Sequence, residues 1–260
     1  MWTAARYAAR VTDQLMDGAE PRYVPGKAAG VLLLHDLSGS PQMFAELAET
    51  LTETGFTIDV PLLPGHGTEI EDLLDMTWDD WASAAQLALD ELASRSGPVV
   101  AVGIGMGATL ACWVAAMQPQ VAGVVVINPR AVPVPQEAVD MLKAMANDGC
   151  AYVPPLGPDV SDRTAHFVAY KTVPVATLLS MFEAIEDMSK YWAELTMPML
   201  VVTSARDHRV SPFNADFLAE RVGGAVERLT LEHSFHLATL DVDHEQLEGA
   251  VLDFVKRVTS

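Results

Sequence analysis

The chain has 260 residues, and its 16 Lys and Arg against 35 Asp and Glu give a formal net charge of −19 with the histidines neutral. Half of the residues are apolar and a fifth are charged, which is typical of a globular protein and not of a disordered one. The acidic balance argues against nucleic acid or an anionic membrane surface as a partner, because both are bound by clustered basic residues. Two cysteines in a chain of this length predict no disulfide framework, and we expect a reducing, cytoplasmic location.

Short apolar runs alternate with amphipathic segments along the chain. The predicted strands are residues 31–34, 57–60, 99–102, 121–127, 199–203 and 226–231. The predicted helices are residues 41–54, 77–95 with Thr77 as N-cap, 108–117, a helix begun by Ser211 and Pro212, and 243–258. Strands separated by helices predict an α/β fold with a doubly wound, mostly parallel sheet.

Residues 97–129 contain no Asp, Glu, Lys or Arg, and the part from 99 to 117 is long enough to span a bilayer. Glycines interrupt this part and Pro119 follows it. Two buried strands of a parallel sheet with a helix between them produce the same absence of charge, so we expect no membrane span. The N-terminus has Arg6 and Arg10 without an apolar segment after them, which is not the pattern of a secretory signal.

Residues 130–195 depart from the alternation and contain six prolines and four methionines. We predict that they form a small cap inserted at one end of the sheet, and that residues 1–129 and 196–260 form the core. The methionines are suited to an adaptable apolar pocket, but equally to ordinary packing between cap and sheet.

Ligands of a parallel sheet bind at the carboxyl ends of its strands, where one loop is rich in glycine. Gly103, Gly105 and Ala108 match the G-x-G-x-x-A spacing of a dinucleotide-binding turn. That site needs an acidic residue about 20 positions later, and none occurs between Glu91 and Glu137. The sequence therefore predicts neither a nucleotide nor any other cofactor, and no metal-ligand cluster is recognised.

The same loop matches a G-x-S-x-G nucleophile elbow in which the central residue is Gly105. Asp207 follows a later strand and His236 follows the last one. The order elbow, acid, base is the one expected for an α/β-hydrolase. Each residue alone has an ordinary structural explanation, but together at strand ends they favour a catalytic site.

The chain resembles the α/β-hydrolases, and specifically the small bacterial carboxylesterases and monoacylglycerol lipases. The resemblance is carried by residues 31–35, 63–67, 103–107, 205–207 and 233–236. It implies an α/β-hydrolase fold, Asp207 as the acid and His236 as the base. It also implies an oxyanion hole made by the Leu37 and Met106 amides, and a cap over a small apolar or acyl-containing molecule.

Two positions depart from the family pattern. Gly105 stands where the family has its serine, and Asp36 stands where glycine usually follows the histidine. A carboxylate at Asp36 modifies the site, because it opposes negative charge developing in the oxyanion hole. The other nucleophilic side chains are less favoured. We expect Cys112 to pack within its helix, and Ser38 and Ser40 to be turn or cap residues. Ser204 ends a strand beside the acid and not opposite the base.

Three functions are compatible with the sequence. The first is a protein of esterase and lipase lineage in which acyl-enzyme hydrolysis is disabled, by natural divergence or by engineering. The second is a non-covalent enzyme (lyase, cyclase, C–C cleavage or direct hydrolysis) with His236 as a general base oriented by Asp207. The third is a non-catalytic binder of an apolar small molecule. Neither the substrate nor the oligomeric state follows from the sequence.

Overall fold

The computed structural model describes residues 15–155 and 157–260, so Arg6 and Arg10 lie outside the described residues. One sheet has seven strands, which are β1 (Arg22–Val24), β2 (Gly30–Leu34), β3 (Thr57–Val60), β4 (Val99–Ile104), β5 (Val121–Ile127), β6 (Met199–Ser204) and β7 (Val226–Leu231). Their order is β1-β3-β2-β4-β5-β6-β7. Only β1 runs antiparallel to its neighbour in this sheet, which confirms the predicted α/β class.

Helices connect most of the strands. They are α1 (Ala45–Glu53), α2 (Trp78–Ser96), α3 (Met106–Met117), α4 (Gln136–Asn147), α5 (Val175–Met188), α6 (Phe213–Ala219) and α7 (His244–Val258). The predicted helix over 41–54 begins instead as a 3-10 turn, Pro41–Phe44. Helix α3 begins two residues before its predicted start, because the turn at Gly105 leads directly into it. Strand β1 was not predicted from the sequence.

Apolar side chains cover both faces of the sheet. Alternate residues of β2 belong to different clusters: Leu32 and Leu34 pack with α2 and α3, whereas Val31 and Leu33 pack with α1 and α7. Burial on both faces explains why the central strands are almost continuously apolar. The charge-free stretch is therefore β4, α3 and β5, and none of the described helices is long and apolar enough to cross a membrane.

Two glycines allow the turn between β4 and α3 to pack against the end of β2. A Cβ added at Gly107 would lie 1.9 Å from the Leu34 carbonyl oxygen, and one at Gly103 would lie 2.0 Å from the Gly107 carbonyl oxygen. No larger residue fits there without moving the backbone. This close packing places the loop after β2 directly beside the turn that contains Gly105.

The segment between β5 and β6 contributes no strand to the sheet in its described part. It contains α4 and α5, which contact one another, and an isolated bridge between Tyr152 and Pro174. Its chain returns to β6 through a 3-10 turn, Trp192–Glu194. Whether this segment functions as a cap remains a prediction.

Candidate active site

Three loops at the carboxyl ends of the strands bring Asp36, His236 and Asp207 together around Gly105. His236 Nδ1 lies 2.7 Å from Asp207 Oδ2, and His236 Nε2 lies 3.4 Å from Asp36 Oδ2. The side chains of His236 and Asp207 are 2% and 1% exposed, and that of Asp36 is 11% exposed. One imidazole therefore lies between two carboxylates, with the tighter contact to Asp207.

Asp207 is oriented by its own loop. Its Oδ1 accepts hydrogen bonds from the backbone amides of Arg209 at 2.7 Å and Val210 at 2.8 Å. The other oxygen is left to face His236. Since a carboxylate accepts and does not donate, the contact assigns a proton to Nδ1 of His236.

Gly105 has φ 56° and ψ −116° at the start of α3, a backbone conformation that residues other than glycine rarely adopt. A Cβ at this position would lie 2.2 Å from Asp36 Oδ1 and 3.1 Å from His236 Nε2. The Asp36 carboxylate thus occupies the space that a side chain at position 105 would enter. Asp36 and Gly105, the two positions that the sequence analysis singled out, therefore share one volume in the structure.

The two amides predicted to form an oxyanion hole both interact with Asp36. The Met106 amide donates to Asp36 Oδ1 at 2.8 Å, and the Leu37 amide also donates to this carboxyl group. These two amides stabilise the ionised form of Asp36. In this arrangement they bind the negative charge of a protein side chain in place of a substrate oxyanion.

The site is strongly coupled electrostatically. Burial opposes ionisation of Asp36, but pairing with His236 and the hydrogen bonds from Met106 and Leu37 hold its pKa well below the ordinary range. Burial also opposes the charged form of His236, yet its contacts with Asp207 and Asp36 raise its pKa to about 9. At neutral pH the structure therefore favours an imidazolium between two carboxylates, and such a group is not a base.

Two supporting residues were not predicted from the sequence. Asp159 Oδ2 accepts from the backbone amides of His208 at 3.0 Å and His236 at 3.2 Å. Asn128 donates from Nδ2 to the His236 carbonyl oxygen at 2.8 Å and accepts from the Ser204 amide at 2.7 Å. Asn128 directly follows β5, so its place at a strand end was a usable signal, whereas Asp159 lies in an aperiodic loop.

Two buried histidines fix the loop after β2. His35 Nε2 accepts from the Leu63 amide at 3.1 Å, and burial, with the nearby His66, lowers the pKa of His35 to about 3. His66 donates from Nε2 to the Leu37 carbonyl oxygen at 2.6 Å. Both rings hold the backbone next to Asp36.

The other nucleophilic side chains are engaged elsewhere or lie apart from His236. Burial in α3 raises the pKa of Cys112 to about 12, which keeps its thiol neutral. Ser40 donates to the Val168 carbonyl oxygen, and Ser204 accepts from Asn128. Ser38 lines the cavity next to the site, but no described hydrogen bond joins it to His236.

A cavity of about 230 Å³ opens over the site. Its wall combines the residues around Gly105 with arginines and apolar side chains, namely Asp36, Leu37, Ser38, Met106, His236, Arg130, Arg209, Val153, Val173, Leu178 and Met181. Glu46, His244 and Glu248 form the one group in the described chain with three metal-ligating atoms within 4.8 Å of one another. None of these three lines the cavity.

Sequence and structure comparisons agree with the geometry. The sequence model of the "Alpha/beta hydrolase family" matches residues 31–247. A thermostable monoacylglycerol lipase of Bacillus sp. (strain H-257) is 31% identical over 241 residues, which are 92% of this chain and 95% of that protein. A solved structure from work on LipS and LipT, two metagenome-derived lipolytic enzymes, has a TM-score of 0.88 at 31% identity and covers 94% of this chain and 100% of its own. The Paleococcus ferrophilus monoacylglycerol lipase has a TM-score of 0.75 at 16% identity, covering 92% and 99% of the two chains.

The charge state of His236 can be measured by nitrogen-15 NMR on histidine-labelled protein. We expect the ring to stay protonated at neutral pH and to titrate near pH 9. Because folding raises this pKa, the stabilisation from the charged ring is complete below the unfolded pKa and is lost as pH rises through the folded one.

Asp36→Asn should lower the pKa of His236 by at least about one unit, since it removes a contacting charge.

The exposed neighbour Glu232 supplies a matched control, because Glu232→Gln removes a nearby charge that does not contact the ring. It should leave the titration of His236 unchanged. A pKa near the ordinary value in both the wild type and Asp36→Asn would contradict the assigned network.

Proposed function

Because the chain belongs to the alpha/beta hydrolase family and is of lipase and esterase lineage, we propose that it is an enzyme that works without a serine nucleophile and uses the Asp36 carboxylate instead. Gly105 stands at the family's nucleophile position. The observation that carries the proposal is the place of Asp36, with Oδ1 2.2 Å from the Cβ that a residue at 105 would have. Residues 130–195 would act as the cap over the reacting molecule.

Acyl-serine hydrolysis is disabled in this arrangement for two reasons. Gly105 has no side chain with which to attack a carbonyl carbon. The Met106 and Leu37 amides, which would stabilise a substrate oxyanion, already donate to an ionised carboxylate. A second negative charge at the same place is strongly unfavourable.

An ionised carboxylate with low proton affinity is a weak base, but it remains a nucleophile toward carbon. We propose that Asp36 Oδ2 attacks a saturated carbon that bears a leaving group, such as a halide or an epoxide oxygen. The electron pair of the broken bond leaves with that group, and a covalent alkyl ester of Asp36 forms. Where the leaving group is an alkoxide, the proton on His236 Nε2 neutralises it. Where the leaving group is a halide, that proton passes to solvent and accompanies the halide once the ester has formed.

The second half of the reaction uses the same residues. Esterified Asp36 carries no charge, so the contact that raises the pKa of His236 is lost and the ring becomes available as a base. Water, deprotonated by His236, attacks the Asp36 Cγ, and the Met106 and Leu37 amides stabilise the oxyanion that forms on Oδ1. On collapse the departing alkoxide takes the proton that His236 removed from water, which gives the alcohol. The carboxyl proton of Asp36 then passes to His236, which restores the carboxylate and the imidazolium. The net change is R–X plus water to R–OH plus H–X for a halide, and epoxide plus water to a diol for an epoxide.

The resting charge state separates this proposal from the non-covalent alternative. In that alternative His236 takes a proton in the first step, which an imidazolium is unable to do. The remaining alternative, a non-catalytic binder, predicts ligand-induced stabilisation without any change in the ligand.

Because Asp36 occupies the space that a side chain at position 105 would enter, both residues must be changed to restore ester hydrolysis. Gly105→Ser alone should give no gain, because its Cβ would meet the Asp36 carboxylate. The double variant Asp36→Gly/Gly105→Ser frees both the space and the two amides. We expect it to hydrolyse p-nitrophenyl butyrate at least about 100-fold faster than the wild type, since oxyanion-hole donors alone contribute that much.

Release of p-nitrophenolate measures the rate, and mass spectrometry detects the acyl-enzyme. Asp36→Gly alone serves as the control and should stay inactive, because it lacks a nucleophile. An equal gain in Gly105→Ser and in the double variant would show that Asp36 does not occupy the nucleophile's place.

The proposed reaction is tested with 1-bromohexane and 1,2-epoxyhexane. Asp36→Asn should lose turnover by at least about 1,000-fold, because the nucleophile is neutralised. With 1-bromohexane, whose bromide leaves without a proton, His236→Gln should allow alkylation but block hydrolysis, so that the peptide containing Asp36 gains the mass of one alkyl group. Gas chromatography of the alcohol or diol gives the rate.

Asp75 is exposed and does not line the cavity, so Asp75→Asn is the matched control and should keep wild-type activity. Turnover that survives Asp36→Asn would contradict the role of Asp36. Binding of both compounds without any turnover would favour the non-catalytic alternative.

A further inference from the structure

Arg130 reaches the cavity without a carboxylate partner. It follows β5 closely in the chain and lines the cavity together with Asp36 and His236. Its Nη2 donates to the Arg209 carbonyl oxygen at 3.1 Å. Within the described chain Arg130 forms no ion pair. A half-buried guanidinium therefore keeps unused donors toward the cavity.

The charges around Arg130 do not satisfy these donors. Burial lowers the pKa of Arg130, and the more distant charges of Asp36 and Asp207 partly oppose that effect. Both carboxylates already contact His236, which lies between them. A guanidinium remains charged even in such surroundings, so its donors are available to an anion in the cavity.

A second guanidinium strengthens the positive side of the cavity. Arg209 also lines it and forms no ion pair within the described residues; its Nη2 donates to the Gly157 carbonyl oxygen. The chain has 16 basic residues against 35 acidic ones. Two arginines without a carboxylate partner at one cavity therefore differ from the acidic balance of the rest of the chain. The remaining wall is mainly apolar, with Val153, Val173 and nearby side chains.

We propose that Arg130, assisted by Arg209, binds an anionic oxygen group of the substrate, a carboxylate or a phosphate. The guanidinium fork matches the geometry of both groups. The substrate's hydrocarbon part then lies along the apolar wall, and its other end points to Asp36. The proposal rests on the proposed function only in placing the reacting carbon at Asp36.

The test measures binding and does not depend on turnover. Isothermal titration calorimetry compares hexanoate, hexyl phosphate and uncharged 1-hexanol on the wild-type protein at neutral pH. We expect at least one anion to bind about tenfold or more tightly than 1-hexanol, as is typical of a charge-assisted hydrogen bond. Arg130→Gln should abolish this preference while leaving 1-hexanol binding unchanged, and Arg130→Lys should retain part of it.

Arg221 is an exposed arginine that does not line the cavity, so Arg221→Gln is the matched control and should keep the full preference. Retained binding of 1-hexanol shows that a variant is folded. Equal binding of the anions and 1-hexanol by the wild type, or a preference that survives Arg130→Gln, would overturn the proposal.

The two proposals fail separately. An anion preference without turnover of either 1-bromohexane or its carboxylate-bearing analogue 6-bromohexanoate refutes the Asp36 chemistry and leaves the Arg130 site intact. Asp36-dependent turnover without an anion preference refutes the Arg130 site alone.

Discussion

The contact between the Asp36 carboxylate and the turn at Gly105 organises the whole site. Gly103 and Gly107 have no side chains, so the turn after β4 packs onto the end of β2. This close packing brings the Met106 amide within 2.8 Å of the Asp36 carboxylate, to which it donates a hydrogen bond. Any side chain at position 105 would enter the same space. The backbone packing, the missing side chain and the buried charge are thus parts of one arrangement.

The state of His236 depends on that carboxylate. Asp207 holds one ring nitrogen, as in a serine triad, but the other nitrogen faces Asp36 and not a hydroxyl group. Two negative neighbours keep the ring charged in the resting protein. Removal of the charge on Asp36 by ester formation would release the ring as a base. The same constellation would then supply an acid in one step and a base in the next.

Sequence patterns were sufficient for most of the strands and helices. Hydrophobic periodicity identified six of the seven strands and most helices, because burial on both faces leaves a strong signal in β2, β4 and β5. Strand β1 has three residues with only partial burial, which is too weak a pattern to recognise. Gly105, Asp207 and His236 were selected from the motifs at strand ends, and Asp36 from its departure from the pattern of the resembling family; their catalytic roles stay predictions.

The contact between Asp36 and the turn at Gly105 could not be predicted from the sequence. Asp36 and Met106 are separated by 70 residues, and no local pattern shows that the carboxylate lies over Gly105. Asp159 supports His236 from a loop without periodicity, and its contacts span 77 residues. In the sequence, Arg130 was only the first residue of the predicted cap segment, and its place in the cavity wall follows from the folded structure. Charges and hydrogen bonds between distant loops depend on the folded distances, which propensities do not encode.

The most direct test of Asp36 as a nucleophile is the position of oxygen-18 after a single turnover in H₂¹⁸O with enzyme in excess over 1-bromohexane. If water attacks the Asp36 Cγ, the alcohol receives its oxygen from the protein, and the label enters the carboxylate. We therefore expect oxygen-18 in the peptide that contains Asp36 and none in the hexanol. Label in the hexanol with an unlabelled peptide would mean that water attacks the substrate directly, and would contradict the account.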